Sequence, residues 1–253
     1  MVDNETRKVK ICPRVLFNFG VQYSRMQSFL YVSLALFVVW ALVLFLSKQT
    51  RHEQIVMSLI GLVLAPGALA VASVDYRTVG PTGTIGVEDL LFAFCLFGIA
   101  SVIYQAALGK HVTKLSTGRI MRWHRSVHWL AHVVIALGIW AVIALSLNVV
   151  LGLSTIQSII VGGLLVGTYV IADRKDLLFD ALLSGIFVSV LVFTAEQIFF
   201  VRLFPDMAAV YWQTGNLSGL ALSGVPLEEL LWTGVVGFAI GPLYEYMRDM
   251  RLK

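Results

Sequence analysis

The side chains with the most chemical potential in this chain are acids placed among apolar residues. Glu228 and Glu229 stand side by side in what reads as the last hydrophobic span, and Glu196 lies near the end of the span before it. An ionisable residue well inside a span costs several kcal/mol and marks a functional site by default. A second pair, Glu88 and Asp89, opens a helix after Gly-Pro-Thr-Gly-Thr, where the helix dipole alone would favour acids. Phe92 and Trp232 follow Glu88 and Glu228 by four residues, one helical turn along on the acid's own side. A carboxyl desolvated among apolar groups and other carboxyls keeps its proton at neutral pH and can act as a general acid. Aromatic faces beside it can stabilise a carbocation through their quadrupoles, although packing is their commoner use.

The elements that must position these residues are membrane helices. Of 253 residues, 58% are hydrophobic and only 13% charged, and the mean hydropathy is +0.83, outside the range of soluble domains. A span needs roughly 20 apolar residues, and stretches at about 28–47, 55–74, 87–108, 127–149, 156–172, 177–201 and 217–247 qualify or nearly do. The expected fold is all-α: a polytopic bundle of about seven transmembrane helices in one membrane domain, 27–253, behind a polar, basic tail, 1–26. Pro66 and Gly67 should kink the second span, and Gly162, Gly163 and Gly167 offer a small-residue face on the fifth. The seventh stretch is too long for one perpendicular span, so 217–224 reads as a lead-in broken before Pro226. The first span is too long and apolar for a removable signal, which implies a retained anchor.

Lys and Arg gather in the first, third and fifth loops and at the C-terminus, against Arg77 and Arg202 alone in the others. That asymmetry places the C-terminus in the cytoplasm, most simply at the cell membrane, although the basic tail opposes it. Read as topology signals, these charges leave no case for nucleic acid. Cys12 and Cys95 form no metal or redox pair. The chain also resembles itself at an offset of 140 residues. Glu88-Asp89-Leu90-Leu91-Phe92 aligns with Glu228-Glu229-Leu230-Leu231-Trp232, and the register continues to Tyr104 and Tyr244. Two parallel three-helix repeats, about 28–108 and 156–247, with a connecting helix at 127–149, account for this. The topology then gathers Glu88, Asp89, Glu196, Glu228 and Glu229 in the outer half of the bundle. Acid, aromatic surface and a lipid-accessible cavity together are what proton-initiated cyclisation of a polyene requires.

The motif Gly224-Val225-Pro226-Leu227-Glu228-Glu229-Leu230-Leu231-Trp232 resembles the integral-membrane, flavin-independent lycopene cyclase family, found as paired subunits or fused domains. Glu196 resembles the acid that family places at the end of the preceding span, and Tyr244-Glu245 its closing pair. The first copy departs from the pattern, with Gly86 where the family has proline and Asp89 for the second glutamate. The resemblance implies redox-neutral conversion of the linear ψ-ends of lycopene to ionone rings. Glu228 and Glu229 would be acid and base, Glu196 a supporting acid, Glu88 and Asp89 their diverged counterparts, and Trp232, Phe92, Pro226, Tyr244 and Tyr104 the substrate-binding set. No cofactor and no metal are expected, in agreement with the lack of a G-x-G-x-x-G after a strand. The expected partners are a lipid-soluble polyene and membrane lipid, with a homo-oligomer left open.

Other readings compete. The last span has no lysine for a retinal Schiff base. His124, His128 and His132 share a helical face, but five histidines in all are few for a di-iron hydroxylase, and interfacial residues are the plainer reading. Asp173, Asp176 and Asp180 resemble a magnesium-diphosphate motif of intramembrane prenyltransferases without its second aspartate-rich partner, and a charged cytoplasmic loop explains them better. A carotenoid-binding or carboxylate-based transport relative of the cyclase fold is the non-enzyme alternative.

Overall fold

The computed structural model describes residues 13–76, 85–109, 112–114, 122–205, 208–248 and 250–252. The chain is an all-α polytopic bundle. Its main helices are α1 (Pro13–Leu46), α2 (Arg51–Ala72), α3 (Val87–Leu108), α4 (Arg122–Leu151), α5 (Thr155–Asp173) and α6 (Leu178–Glu196). A short α7 (Ala208–Tyr211) leads to α8 (Leu227–Ile240) and α9 (Leu243–Arg248). α1 thus extends back into the stretch read as a tail. Among the described residues, six helical segments are long and apolar enough to cross a membrane, the last of them Lys175–Leu203, which carries α6 on into a π-helical turn, Gln197–Leu203.

The seventh span is shorter than the sequence suggests. α8 has 14 residues, roughly 21 Å of helix against about 30 Å of hydrocarbon. The apolar residues before it form a loop and a small hairpin, β2 (Ala221–Leu222) against β3 (Val225–Pro226). Ser223 and Gly224 turn the hairpin with φ of 53° and 93°, the two positive values that a type I′ turn demands. No helix can run through such a turn. Gly241 and Pro242 then separate α8 from α9, because proline cannot donate the next helical hydrogen bond. The expected kink is absent as a break in α2, whose helix continues through Pro66.

α3 is the central helix, packed against α1, α2, α6 and α8, and the most intimate pairs are α2 with α3 and α6 with α8. Both pairs close on a glycine. A Cβ on Gly61 would stand 2.7 Å from the Ala93 carbonyl oxygen, and one on Gly185 would stand 2.9 Å from that of Gly234. Gly163 and Gly167 of α5 do the same against Val235 and Phe238, as the small-residue face predicts. α3 and α8 run side by side in the same direction. Phe92 meets Trp232 near their starts, with ring centroids 6.4 Å apart, and Gln105 meets Glu245 beyond their ends, both pairs separated by 140 residues. α4 lies at the edge. Only 11% of its apolar window is buried, chiefly where the Trp140 indole N–H donates to the Ile159 carbonyl at 2.9 Å.

The packing makes one position intolerant. A Cβ on Gly237 would sit 2.5 Å from the backbone oxygen of Ser184. Gly237→Val should therefore cost about 1–3 kcal/mol by overpacking. Thermal unfolding in detergent followed by circular dichroism should show a lowered midpoint, and an unchanged midpoint would contradict this packing.

Candidate active site

The acid pair of α8 stands where three features meet: the hairpin that ends at Pro226, the first turn of the helix, and the turn that follows α2. Glu228 and Glu229 occupy that first helical turn, so the helix dipole favours them too. They therefore stand at the start of the helix rather than deep inside a span, directly after the break before Pro226 that the sequence suggests, which is made by the Ser223-Gly224 turn. They are nonetheless buried, with side chains 5% and 3% exposed, and Glu196 is 1% exposed.

Glu229 is the best-held of the three. Oε2 accepts from the Tyr76 hydroxyl and from the Trp212 indole N–H at 3.0 Å. Tyr76 lies just beyond α2, outside the spans. Its burial and the adjoining Glu229 carboxylate push its hydroxyl well above the ordinary tyrosine range, with Glu196 and Tyr211 adding to the effect. It stays a proton donor at every physiological pH. Glu196 lies near enough to Tyr76 to act on its hydroxyl. Glu196 ends α6 at the point where the helix widens into its π-turn, a distortion found mostly at functional sites. Glu228 turns the other way. Its Oε1 accepts the Ser218 N–H at 2.6 Å, while Oε2 is buried with no partner among the described residues.

Aromatic rings surround this acid group. From Trp232 the contacts pass to Phe92, on to Phe29 at 5.4 Å and Tyr211 at 5.2 Å, and so to Trp212 at 5.7 Å. Phe200, within the π-turn, packs on both Tyr211 and Trp212 at 4.8 and 5.5 Å. An open cleft of about 280 Å³ lies beside them, lined by Trp212, Leu217, Leu220 and Pro226 among others. That is the small end of the range for ligand pockets.

The expected site residues divide. Glu196, Glu228 and Glu229 converge, and Phe92, Trp232 and Pro226 lie with them. Asp89 instead holds its own helix start, accepting the Gly86 N–H at 3.0 Å, while Glu88 is half-buried in the same turn. Tyr104 and Tyr244 are at the other end of the bundle. Sixteen residues of α3 separate Glu88 from Tyr104, roughly 24 Å at 1.5 Å per residue. Asp180 is not on a charged loop but fully buried in α6, and Asp176 is tied to Arg174 at 2.7 Å. His132 is exposed, and the side chains of His124 and His128 lie outside the described residues. Sequence reasoning passed over Tyr76, Trp212, Tyr211, Phe29 and Phe200. The Tyr211-Trp212 pair in the segment before α8 was the available signal, since large rings in a connecting segment call for a reason.

The fold and this centre define a polytopic helical membrane protein with a buried carboxyl group enclosed by aromatic rings. The family model described as lycopene cyclase matches residues 154–247. The matched stretch spans α5 to α9, including Glu196, Glu228 and Glu229, and is similar to that family. No curated protein and no solved structure matches the chain.

The geometry predicts how the centre responds to truncation. Glu229→Ala would leave the Tyr76 and Trp212 donors buried without an acceptor, at about 1–3 kcal/mol for each donor. Glu229→Gln keeps an acceptor oxygen. The alanine variant should unfold at the lower temperature of the two, and equal midpoints would mean that these bonds do not hold the site.

Proposed function

We propose that the chain cyclises the ψ-ends of lycopene or a closely related polyene, and that Glu229 is the proton donor. The observation that carries this is the pair of hydrogen bonds that Oε2 accepts. When Glu229 gives up a proton, the carboxylate left behind is stabilised by two donors already in place, Tyr76 and Trp212, which is preorganised electrostatic catalysis. The proton adds to the terminal double bond of the polyene, and the resulting tertiary cation is attacked by a neighbouring double bond to close a six-membered ring. The Phe29, Phe92 and Trp232 faces beside the acid group supply cation stabilisation. Loss of a ring proton to a carboxylate, for which Glu228 with its open Oε2 is suited, gives the ionone end. One proton enters and one leaves. No electrons are exchanged, so the reaction is an isomerisation.

The cleft beside Trp212 and Pro226 has room for one end of such a substrate, the rest lying along the lipid-facing bundle. We read the chain as two parallel three-helix repeats joined by α4. The same-direction contact of α3 with α8 at the 140-residue register supports this. The basic loops on the α9 side support a cytoplasmic C-terminus, in the cell membrane.

Expression in lycopene-accumulating cells tests the reading. Cyclised carotenoid should appear by chromatography with the unsubstituted chain. Glu229→Gln should lower the rate roughly 10²–10⁴-fold, the usual contribution of a general acid. Tyr76→Phe should lower it roughly 10–100-fold, as expected for the loss of one hydrogen bond to a charged group. If no cyclised product forms, the function is wrong. Full activity in Glu228→Gln/Glu229→Gln would leave the function standing and remove the site.

A further inference from the structure

The end of the bundle opposite the Glu229 centre holds a second set of buried acids. Glu53 of α2 and Glu245 of α9 are 4% and 0% exposed, and Asp180 of α6 is 0% exposed. Glu53 and Asp180 are each the third residue of their helix, so corresponding helices of the two repeats bring them to the same level. Gln105, at the end of α3, joins them. Its amide nitrogen donates to Glu245 and to both oxygens of Glu53 at 3.4 and 3.5 Å. Glu53 and Glu245 thus converge on a single amide nitrogen, which brings two buried carboxyls together on one neutral donor.

The charges facing this group do not neutralise it. From α6 and its approach come Asp180 itself, bonded by the Ser184 hydroxyl at 3.0 Å, and Arg174, which grips Asp176 and also donates to the backbone oxygen of Glu245 at 3.5 Å. From α9, Arg248 lies over the Trp129 and Tyr244 rings at 5.1 and 5.0 Å. From α2, His52 meets the Tyr244 hydroxyl at 3.1 Å, and Tyr104 of α3 faces Asp180. Three carboxylates in an apolar bundle cannot all carry charge.

One further atom indicates what they hold. Gln105 is 3% exposed, and its amide oxygen has no donor among the described residues, like Glu245 Oε2 and Asp180 Oδ2. A buried amide acceptor set among carboxyls needs an O–H, and protonated carboxyls are the source at hand. Among the described residues no set of His, Cys, Asp or Glu side chains has an arrangement that could hold a metal ion. We propose that Glu53, Asp180, Glu245 and Gln105 form a proton-binding site at the junction of the two repeats, separate from the Glu229 centre and holding exchangeable acid protons at neutral pH. It does not depend on the cyclase reading.

Infrared spectroscopy of the purified full-length chain in detergent micelles, in H2O and D2O, tests this. The carboxylic-acid C=O stretch is seen only for a protonated carboxyl. At neutral pH the chain should show this band, shifted by deuterium. Glu53→Gln and Glu245→Gln should each remove part of it, whereas Glu228→Gln/Glu229→Gln should leave that part in place. Where a glutamine variant fails to fold, Glu53→Asp keeps an acid and should shift the band rather than abolish it. Raising the pH should remove the band at the same midpoint in sodium and in choline chloride. The proposal fails if no acid band responds to these substitutions. It also fails if sodium over choline raises the melting temperature in the unsubstituted chain but not in Glu245→Gln, since a metal cation would then occupy the site.

Discussion

A carboxyl taken out of water must be met by a hydrogen-bond donor, a proton or a cation, and this requirement organises the molecule. Glu53, Glu228, Glu229 and Glu245 are each answered from a different helix or loop, whereas Asp89 and Asp180 are met within their own helix or its cap. Glu229 needs Tyr76 from beyond α2 and Trp212 from beyond α7. Glu228 needs the Ser218 amide of the loop before the hairpin. Glu245 needs Gln105 of α3. The apolar surfaces of the helices allow many arrangements, because lipid is as good a solvent for leucine as another helix is. The polar pairs are what select one of them. Close glycine contacts such as Gly61 on Ala93 and Gly185 on Gly234 then let the backbones approach far enough for those bonds to form.

Much of this was legible before any coordinates. Apolar run length is a strong signal for a membrane helix, and the acids at 196, 228 and 229 stand out against such runs. The 140-residue register between α3 and α8 was visible because acids and aromatics are rare enough there to align. The break before Pro226 was legible, but the form of the lead-in was not, because hydropathy cannot distinguish an apolar hairpin from an apolar half-turn of helix. Only the positive φ at Ser223 and Gly224 does so, and Ser-Gly is a weak turn signature beside so many leucines. Asp180 was misread for a related reason. Next to Arg174, Lys175 and Asp176 it looks like loop charge, yet the chain has already entered α6 by that residue. Tyr76 and Trp212 escaped because their importance is a matter of partner: Tyr76 lies more than 100 residues from Glu229, and Trp212 reaches it only through the fold of the irregular segment between α7 and α8.

The two ends of the bundle use the same chemistry in different surroundings. At the hairpin end, carboxyls sit beside rings and an open cleft, with donors fixed on one oxygen and the other side left for a reactant. At the α9 end, carboxyls face one another and an amide, with arginines nearby that are engaged elsewhere. The first arrangement suits passing a proton to carbon. The second suits storing one.

The peripheral position of α4 has a consequence for how the gene can be organised. Tyr76 with Glu229, His52 with Tyr244, Gln105 with Glu245, and the Thr155 amide with Asp75 at 2.8 Å all bind one half of the chain to the other. None of them involves the helix that joins the halves covalently. α4 contributes little burial, and its main service is to keep two mutually adhesive pieces at high effective concentration. A protein assembled in this way is indifferent to whether its halves are translated together, so fission into two genes, or fusion of two, would leave the same set of contacts to be made.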